Sequence, residues 1–207
     1  RMGCAFCATS RMGFTRNLTA DEIIGQVRAA CSLNTRPSHL VFMGMGEPLD
    51  NFENWTEAAR KLRDSRYGPN GEPPSAWAMD KMIISTCGLV PGIDRLAKLE
   101  WKRMTLAVSL NAPNDEIRSR LMPVNRLWPM SALREALLRY RLRNRIFLAE
   151  YVLIRGMNDK PEHATQLAEY LRPFRACVNL IAFNGAPNIS EYESPSWMEV
   201  ERFKRWL

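Results

Sequence analysis

At 207 residues, 46% apolar and 25% charged, the chain is long enough for one domain or a tight pair with a full core. It contains no apolar run of about eighteen residues and no legible secretory signal, so neither a membrane span nor an exported protein is expected. A formal charge of +7 favours a polyanionic partner, nucleic acid before others, although Arg134, Arg139, Arg141, Arg143 and Arg145 read equally well as the solvated face of one helix and its exit.

In chain order, Thr19 and Glu22 form a capping box, with Leu18 and Ile23 placed as its hydrophobic staple. Ile23, Val27, Ala30 and Cys31 continue at helical spacing. A short apolar run at 40–43 ends in Gly-Met-Gly-Glu-Pro; a polar helix follows at about 54–66, then a Pro/Gly loop from Tyr67 to about Met79. Residues 82–85 form a second apolar run, 93–99 a helix and 104–110 a third run, after which Asn114 is placed to cap a helix. Helix 131–142, strand 147–154, helix 161–171, strand 177–183 and helix 196–207 complete the order.

Short strands alternating with helices specify βαβ units and a parallel α/β sheet. The five strands end in Gly-Glu-Pro, Ser-Thr-Cys-Gly, Ser-Leu-Asn, Ile-Arg-Gly and Phe-Asn-Gly. Parallel α/β folds build their sites from the carboxyl ends of strands, so polar and glycine-rich residues gathered there point to one site. The periodicity does not separate a barrel from an open doubly wound sheet.

The five cysteines, Cys4, Cys7, Cys31, Cys87 and Cys177, are odd in number and scattered, which argues against a secreted disulfide framework and for a reducing, cytoplasmic compartment. Cys4 and Cys7 stand at C-x-x-C spacing beside a first residue that is not Met. Such a pair supplies two soft ligands where its usual sites need three or four, so the pair serves a metal cluster, a zinc ion or nothing, and a further ligand is expected elsewhere in the chain or just upstream. Cys31 and Cys177 are expected in the core, and Cys87 more in packing than in chemistry. Glu150, inside an apolar strand, either organises polar groups in a barrel lumen or is a satisfied structural carboxylate. His39 and His163 have no ligand-like spacing.

Arg1-Met-Gly-Cys-Ala-Phe-Cys7 looks like the last seven residues of the radical SAM signature C-x-x-x-C-x-x-C, with the first cysteine just before Arg1. It is followed by Gly13-Phe-Thr-Arg-Asn-Leu-Thr19, Met43-Gly-Met-Gly-Glu-Pro48, Ser85-Thr-Cys-Gly88, Ser109-Leu-Asn-Ala-Pro-Asn-Asp115 and Met122-Pro-Val-Asn125. Asn158-Asp159 with Glu162-His163 closes the series. In this order over the whole chain, the motifs resemble the RlmN/Cfr family of radical SAM RNA adenine methyltransferases.

The resemblance implies a partial (β/α)6 TIM-like barrel lacking its first strand, with residues 1–207 as a radical SAM core truncated at both ends. It implies a [4Fe–4S] cluster held by Cys4, Cys7 and one upstream cysteine, with S-adenosylmethionine (SAM) on the open iron as the source of a 5′-deoxyadenosyl radical. Phe6 stands at the signature's aromatic position. Gly46 and Glu47 resemble the motif for the methionine end of SAM, and Ser85, Ser109, Leu110, Asn111 and Asn184 match its remaining SAM positions. Asn111 replaces the usual His of the Ser-Leu-x triplet; it can still donate and accept hydrogen bonds. The family's methyl-carrying cysteine and that cysteine's partner match none of Cys31, Cys87 or Cys177, so no catalytic residue is assigned here and the core alone is expected to be inactive. The implied activity is methylation of adenine C2 in 23S rRNA and tRNA by a monomeric cytoplasmic enzyme, with an electron donor such as flavodoxin and no membrane contact. Cfr-type methylation at C8 is the alternative within the family, and a non-catalytic zinc-stabilised RNA-binding domain is the alternative from another class.

Overall fold

The computed structural model describes residues 2–33, 37–64, 77–101, 103–140, 146–185 and 189–207. Most of the predicted 67–79 loop, and Arg141, Arg143 and Arg145 of the basic run, lie outside the described residues.

The described elements are α1 (Ala20–Ser32), β1 (Leu40–Phe42), α2 (Phe52–Arg63), β2 (Met82–Thr86), α3 (Val90–Lys98), β3 (Thr105–Ser109), α4 (Asp115–Leu121), α5 (Met130–Arg139), β4 (Phe147–Leu153), α6 (Pro161–Leu171), β5 (Ala176–Ala182) and α7 (Trp197–Trp206). The capping signals act as expected. Thr19 N donates to the Glu22 carboxylate at 2.9 Å and Glu22 N to Thr19 Oγ1 at 3.3 Å; Asn114 Oδ1 accepts from Ile117 N at 3.0 Å. α2 begins two residues before the predicted 54, because Phe52 and Trp55 share a buried face that the many charges of this segment conceal.

β1 to β5 form one sheet in sequential order, every neighbouring pair parallel. Right-handed crossovers that always advance in one direction place all their helices on one face, whereas a doubly wound sheet reverses and covers both. The packing agrees. Register aligns Phe42, Ile84 and Leu106, then Val108, Ala149 and Val178, on the face that packs against Ile24, Trp55, Ile93, Leu133, Leu167 and Phe203 of the helices. This is the one-sided wall of a barrel, and its five strands are the five read from the sequence.

The opposite face carries Val41, Ser85, Ser109, Glu150, Cys177 and Asn179. Val41 is 53% exposed, and Cys177 and Asn179 are also exposed. The expectation that Cys177 lies in the core is therefore corrected: its register partner Leu148 puts it on the face turned away from the helices. Cys31 is half-buried and Cys87 buried. Among the described residues no helix is long and apolar enough to cross a membrane.

A close approach holds the start of α3 against the Gly-Glu-Pro loop. A Cβ on Gly92 would lie 2.6 Å from Leu49 Cβ, in backbone-anchored atoms that cannot swing aside. Gly92→Ala should therefore destabilise the protein even though Ala is the better helix former: overpacking costs about 1–3 kcal/mol, while propensity returns up to about 1 kcal/mol. Urea unfolding measures the balance, and a variant more stable than the parent would contradict it.

Candidate functional site

A second apolar cluster lies beyond the carboxyl ends of the strands. Cys87 after β2, Ala112 after β3, Ile154 after β4 and Phe183 after β5 pack there with Ile117, Leu121 and Met122 of the α4 region. Met2, Cys4 and Phe6 pack against this cluster, so the C-x-x-C segment is seated over the strand ends. Ala5 N donates to Leu121 O at 2.9 Å, fixing the segment to the last turn of α4.

The thiol loop is folded around Ser10. Cys7 N donates to Cys4 O at 3.2 Å, and the Ser10 hydroxyl lies 2.8 Å from Cys4 O and 2.7 Å from Cys7 O, its single proton shared between the two carbonyls. Both thiols are half-buried. Burial, the neighbouring Cys7 and the Glu47 carboxylate push the Cys4 thiol up to about 11, while the Arg118 guanidinium pulls it down. Those influences place Cys4, Cys7, Glu47 and Arg118 in one neighbourhood.

Glu47 follows β1. Its Oε1 accepts from Leu49 N at 3.0 Å and its Oε2 from Cys87 N at 2.7 Å, so the carboxylate ties the first strand end to the second. Burial raises its pKa despite these bonds. Among the described residues no cationic side chain forms an ion pair with it. Gly46, at φ +122°, has open space where a Cβ would stand, so its glycine is required by the backbone and leaves the approach to Glu47 unobstructed.

Ser85 and Ser109 lie on the open face of adjacent strands, and among the described residues neither hydroxyl is hydrogen-bonded. Asn184 is exposed just past β5. Leu110 and Asn111 differ from these. Leu110 is fully buried on the helix side, its N–H donating to Glu150 O at 3.0 Å and its carbonyl accepting from Arg118 Nε at 3.1 Å. Asn111 is buried in a left-handed conformation (φ 56°); its Oδ1 accepts from Val152 N at 2.9 Å and its Nδ2 faces Met122 Sδ at 3.4 Å. Asn tolerates that conformation better than most residues. Both residues shape the end of β3, and Asn111 pins it to β4.

Arg118 has no solvent exposure, which the sequence reading missed. It donates to Leu110 O, Ser109 O (3.2 Å), Cys87 O (2.7 Å) and Asn125 Oδ1 (3.0 Å). Asn125 Nδ2 in turn donates to Asp115 Oδ1 at 2.9 Å. The available signal was positional: Arg118 falls on the same helical stripe as Ile117 and Leu121, where a charge must be buried. Asn158, of the Asn158-Asp159 motif, is fully buried, donating to Asn111 O and Val152 O while accepting from Ile154 N. Glu150 joins both of its expected roles, facing the open side and accepting from Asn179 Nδ2 at 2.7 Å. His163 is structural, its Nδ1 accepting from Lys160 N at the start of α6.

A one-sided parallel sheet with a cysteine loop and an unpaired carboxylate over its carboxyl ends defines a cofactor-binding α/β barrel wall. The family model for the radical SAM superfamily matches residues 1–168, and the chain belongs to that superfamily. It is 42% identical, over its whole length and 56% of the relative, to the dual-specificity RNA methyltransferase RlmN of Marinobacter nauticus. It is also 42% identical to the probable dual-specificity RNA methyltransferase RlmN of Symbiobacterium thermophilum, covering 55% of that protein. A radical SAM methyltransferase from Sphaerobacter thermophilus superposes with a TM-score of 0.87 at 40% identity, covering all of this chain and 59% of that one. The motif resemblance thus holds along the whole chain, which spans a little over half the length of these relatives.

Radical SAM domains work with a [4Fe–4S] cluster and SAM, and the residues here fit part of that donor set. Two thiols share one hydrogen-bonded loop, while among the described residues no group of three or more Cys, His, Asp or Glu forms a metal site. Ser10→Ala should loosen this loop, a loss of about 1 kcal/mol for a neutral hydrogen bond, and lower iron retention without removing a ligand. Iron and sulfide content after desalting tests this; parental retention would show that the loop holds its shape without Ser10.

Proposed function

We propose that this chain is the radical SAM core of an RNA methyltransferase that methylates C2 of adenine in 23S rRNA and tRNA. The observation that carries it is Glu47: a desolvated carboxylate without a cationic partner, beside the thiol loop, in a chain whose relatives are RlmN proteins. A charged group in such a setting is costly unless a partner arrives. The ammonium of SAM has the required charge.

In this reading Cys4 and Cys7 are two thiolate ligands of the cluster, and one cysteine upstream of Arg1 is the third. When bound, the cluster supplies the electron that breaks a carbon–sulfur bond of SAM. Glu47 holds the ammonium, and Gly46 lets the backbone come close. The Ser85 and Ser109 hydroxyls and the Asn184 carboxamide are the polar groups left for the rest of SAM. Leu110 and Asn111, both buried, shape the end of β3 behind those groups. The apolar cluster under the loop keeps water from the cysteines. Basic residues meet the RNA phosphates, and the methyl-carrying cysteine lies outside this chain.

Mapping the modified position by mass spectrometry, in RNA treated with the full-length protein, tests the activity. A product at C2 agrees with the proposal; C8, or no methylation, contradicts it. Glu47→Gln keeps an acceptor for a backbone amide but loses the charge. It should weaken SAM binding to cluster-loaded protein by tenfold or more, because losing one partner of a buried charge pair costs about 2–5 kcal/mol. Asn111→Ala should instead act mainly on stability, by about 1–3 kcal/mol, since it leaves Val152 N–H without its acceptor. Calorimetry and thermal unfolding separate the two. Parental SAM affinity in Glu47→Gln would remove Glu47 from the pocket.

A further inference from the structure

Arg118 is a full charge with no access to solvent, and among the described residues no carboxylate touches it. Its partners are three main-chain carbonyls and one side-chain amide, a set that gives each guanidinium nitrogen an acceptor without cancelling its charge. Asp115, the acid associated with it, is exposed and reaches it through Asn125. The helix that carries Arg118 also carries the cysteine loop: Met122 N donates to Arg118 O at 2.7 Å, and Ala5 N to Leu121 O at 2.9 Å. The guanidinium is closely walled in, since a Cβ on Gly88 would lie 3.0 Å from Arg118 Nη2. An arginine cannot lose its proton in a protein, so this is a fixed positive charge at every working pH. Cys87, whose carbonyl accepts from the guanidinium, lies in the same apolar cluster that Cys4 packs against, so the cation sits beneath the cysteine loop.

We propose that Arg118 is a positioning residue for the cluster, a buried permanent cation that makes the bound [4Fe–4S] centre easier to reduce. This rests on the assignment of Cys4 and Cys7 as cluster ligands. A cluster held by thiolates is anionic, and one-electron reduction adds another negative charge to it. A fixed cation in a low-dielectric region stabilises the more negative state, and cluster potentials respond to net charge and burial. In the step concerned, one electron passes from a low-potential donor to the cluster, the donor is oxidised by one electron, and no proton moves at Arg118. Three of the four hydrogen bonds hold the ends of β2 and β3 in place, which gives the residue a structural role that the test must separate from the electrostatic one.

Redox titration with dithionite, followed by electron paramagnetic resonance on anaerobically reconstituted full-length protein, reads the midpoint potential. Arg118→Gln removes the charge and should move the midpoint to a more negative potential. Asn125→Asp leaves the guanidinium in place but sets a carboxylate against it, and should move the midpoint the same way. Arg118→Lys keeps the charge with fewer hydrogen bonds and should stay near the parent. If Arg118→Gln loses the cluster while Arg118→Lys retains it, the site needs the charge and the proposal stands. If Arg118→Lys shifts as far as Arg118→Gln or also loses the cluster, or if a neutralised variant that holds its cluster keeps the parental midpoint, the proposal fails while the cluster assignment survives. A parent protein that assembles no cluster overturns both.

Discussion

The main chain of Cys87 lies between a half-buried carboxyl group and a fully buried guanidinium. Its N–H donates to Glu47, and its carbonyl accepts from Arg118. Among the described residues neither group touches an opposite charge, so each is solvated by the protein itself. The protein does this with peptide groups from strand ends: Leu49 and Cys87 for the anion, Cys87, Ser109 and Leu110 for the cation. Because those peptides come from the loop after β1 and from the ends of β2 and β3, satisfying the charges also fixes these segments relative to one another. The cofactor reading depends on this, since a small molecule held by several strand ends needs their spacing set in advance.

The sheet makes the arrangement possible. Sequential parallel order leaves one face to the helices, and Ser85 and Ser109 lie on the other, Ser85 buried and Ser109 half-buried. α4 is the common mount. It caps itself with Asn114, buries Arg118 beneath the strand ends and receives the cysteine loop on its final turn. Ser10 then closes the loop from the other side. Thiols, carboxylate and guanidinium are thus built on one rigid base.

The basic surplus of the sequence is partly spent within the fold. Arg139 pairs with Asp94 at 2.9 Å, Arg16 with Glu22 at 2.7 Å and Arg155 with Glu199 at 2.7 Å, while Arg11 pairs with Glu191 and Arg95 with Glu53. Arg134 lies over the Tyr170 ring, and Arg118 is buried outright. Net charge therefore overstates how many arginines face a polyanion, and the RNA-binding expectation rests on the cations left over.

The alternation of strands and helices, the capping boxes, the polar strand ends and the cysteine spacing were legible in the sequence because each depends on neighbours a few residues apart. Local periodicity dictates which residues share a face, and cap chemistry dictates where a helix starts. Tertiary structure alone decided the rest. Barrel-like order over a doubly wound sheet depends on which strand pairs with which, a choice between segments far apart in the chain. Cys177 left the core because its register, not its hydrophobicity, selects the open face. Asn111 stands at a position that the motif alone describes, and only the fold shows that its carboxamide also bonds to Val152, 41 residues away. Arg118 is one of many cations in a basic chain. Its burial follows from carbonyls 8 and 31 residues away that converge on it, and no local pattern encodes that convergence.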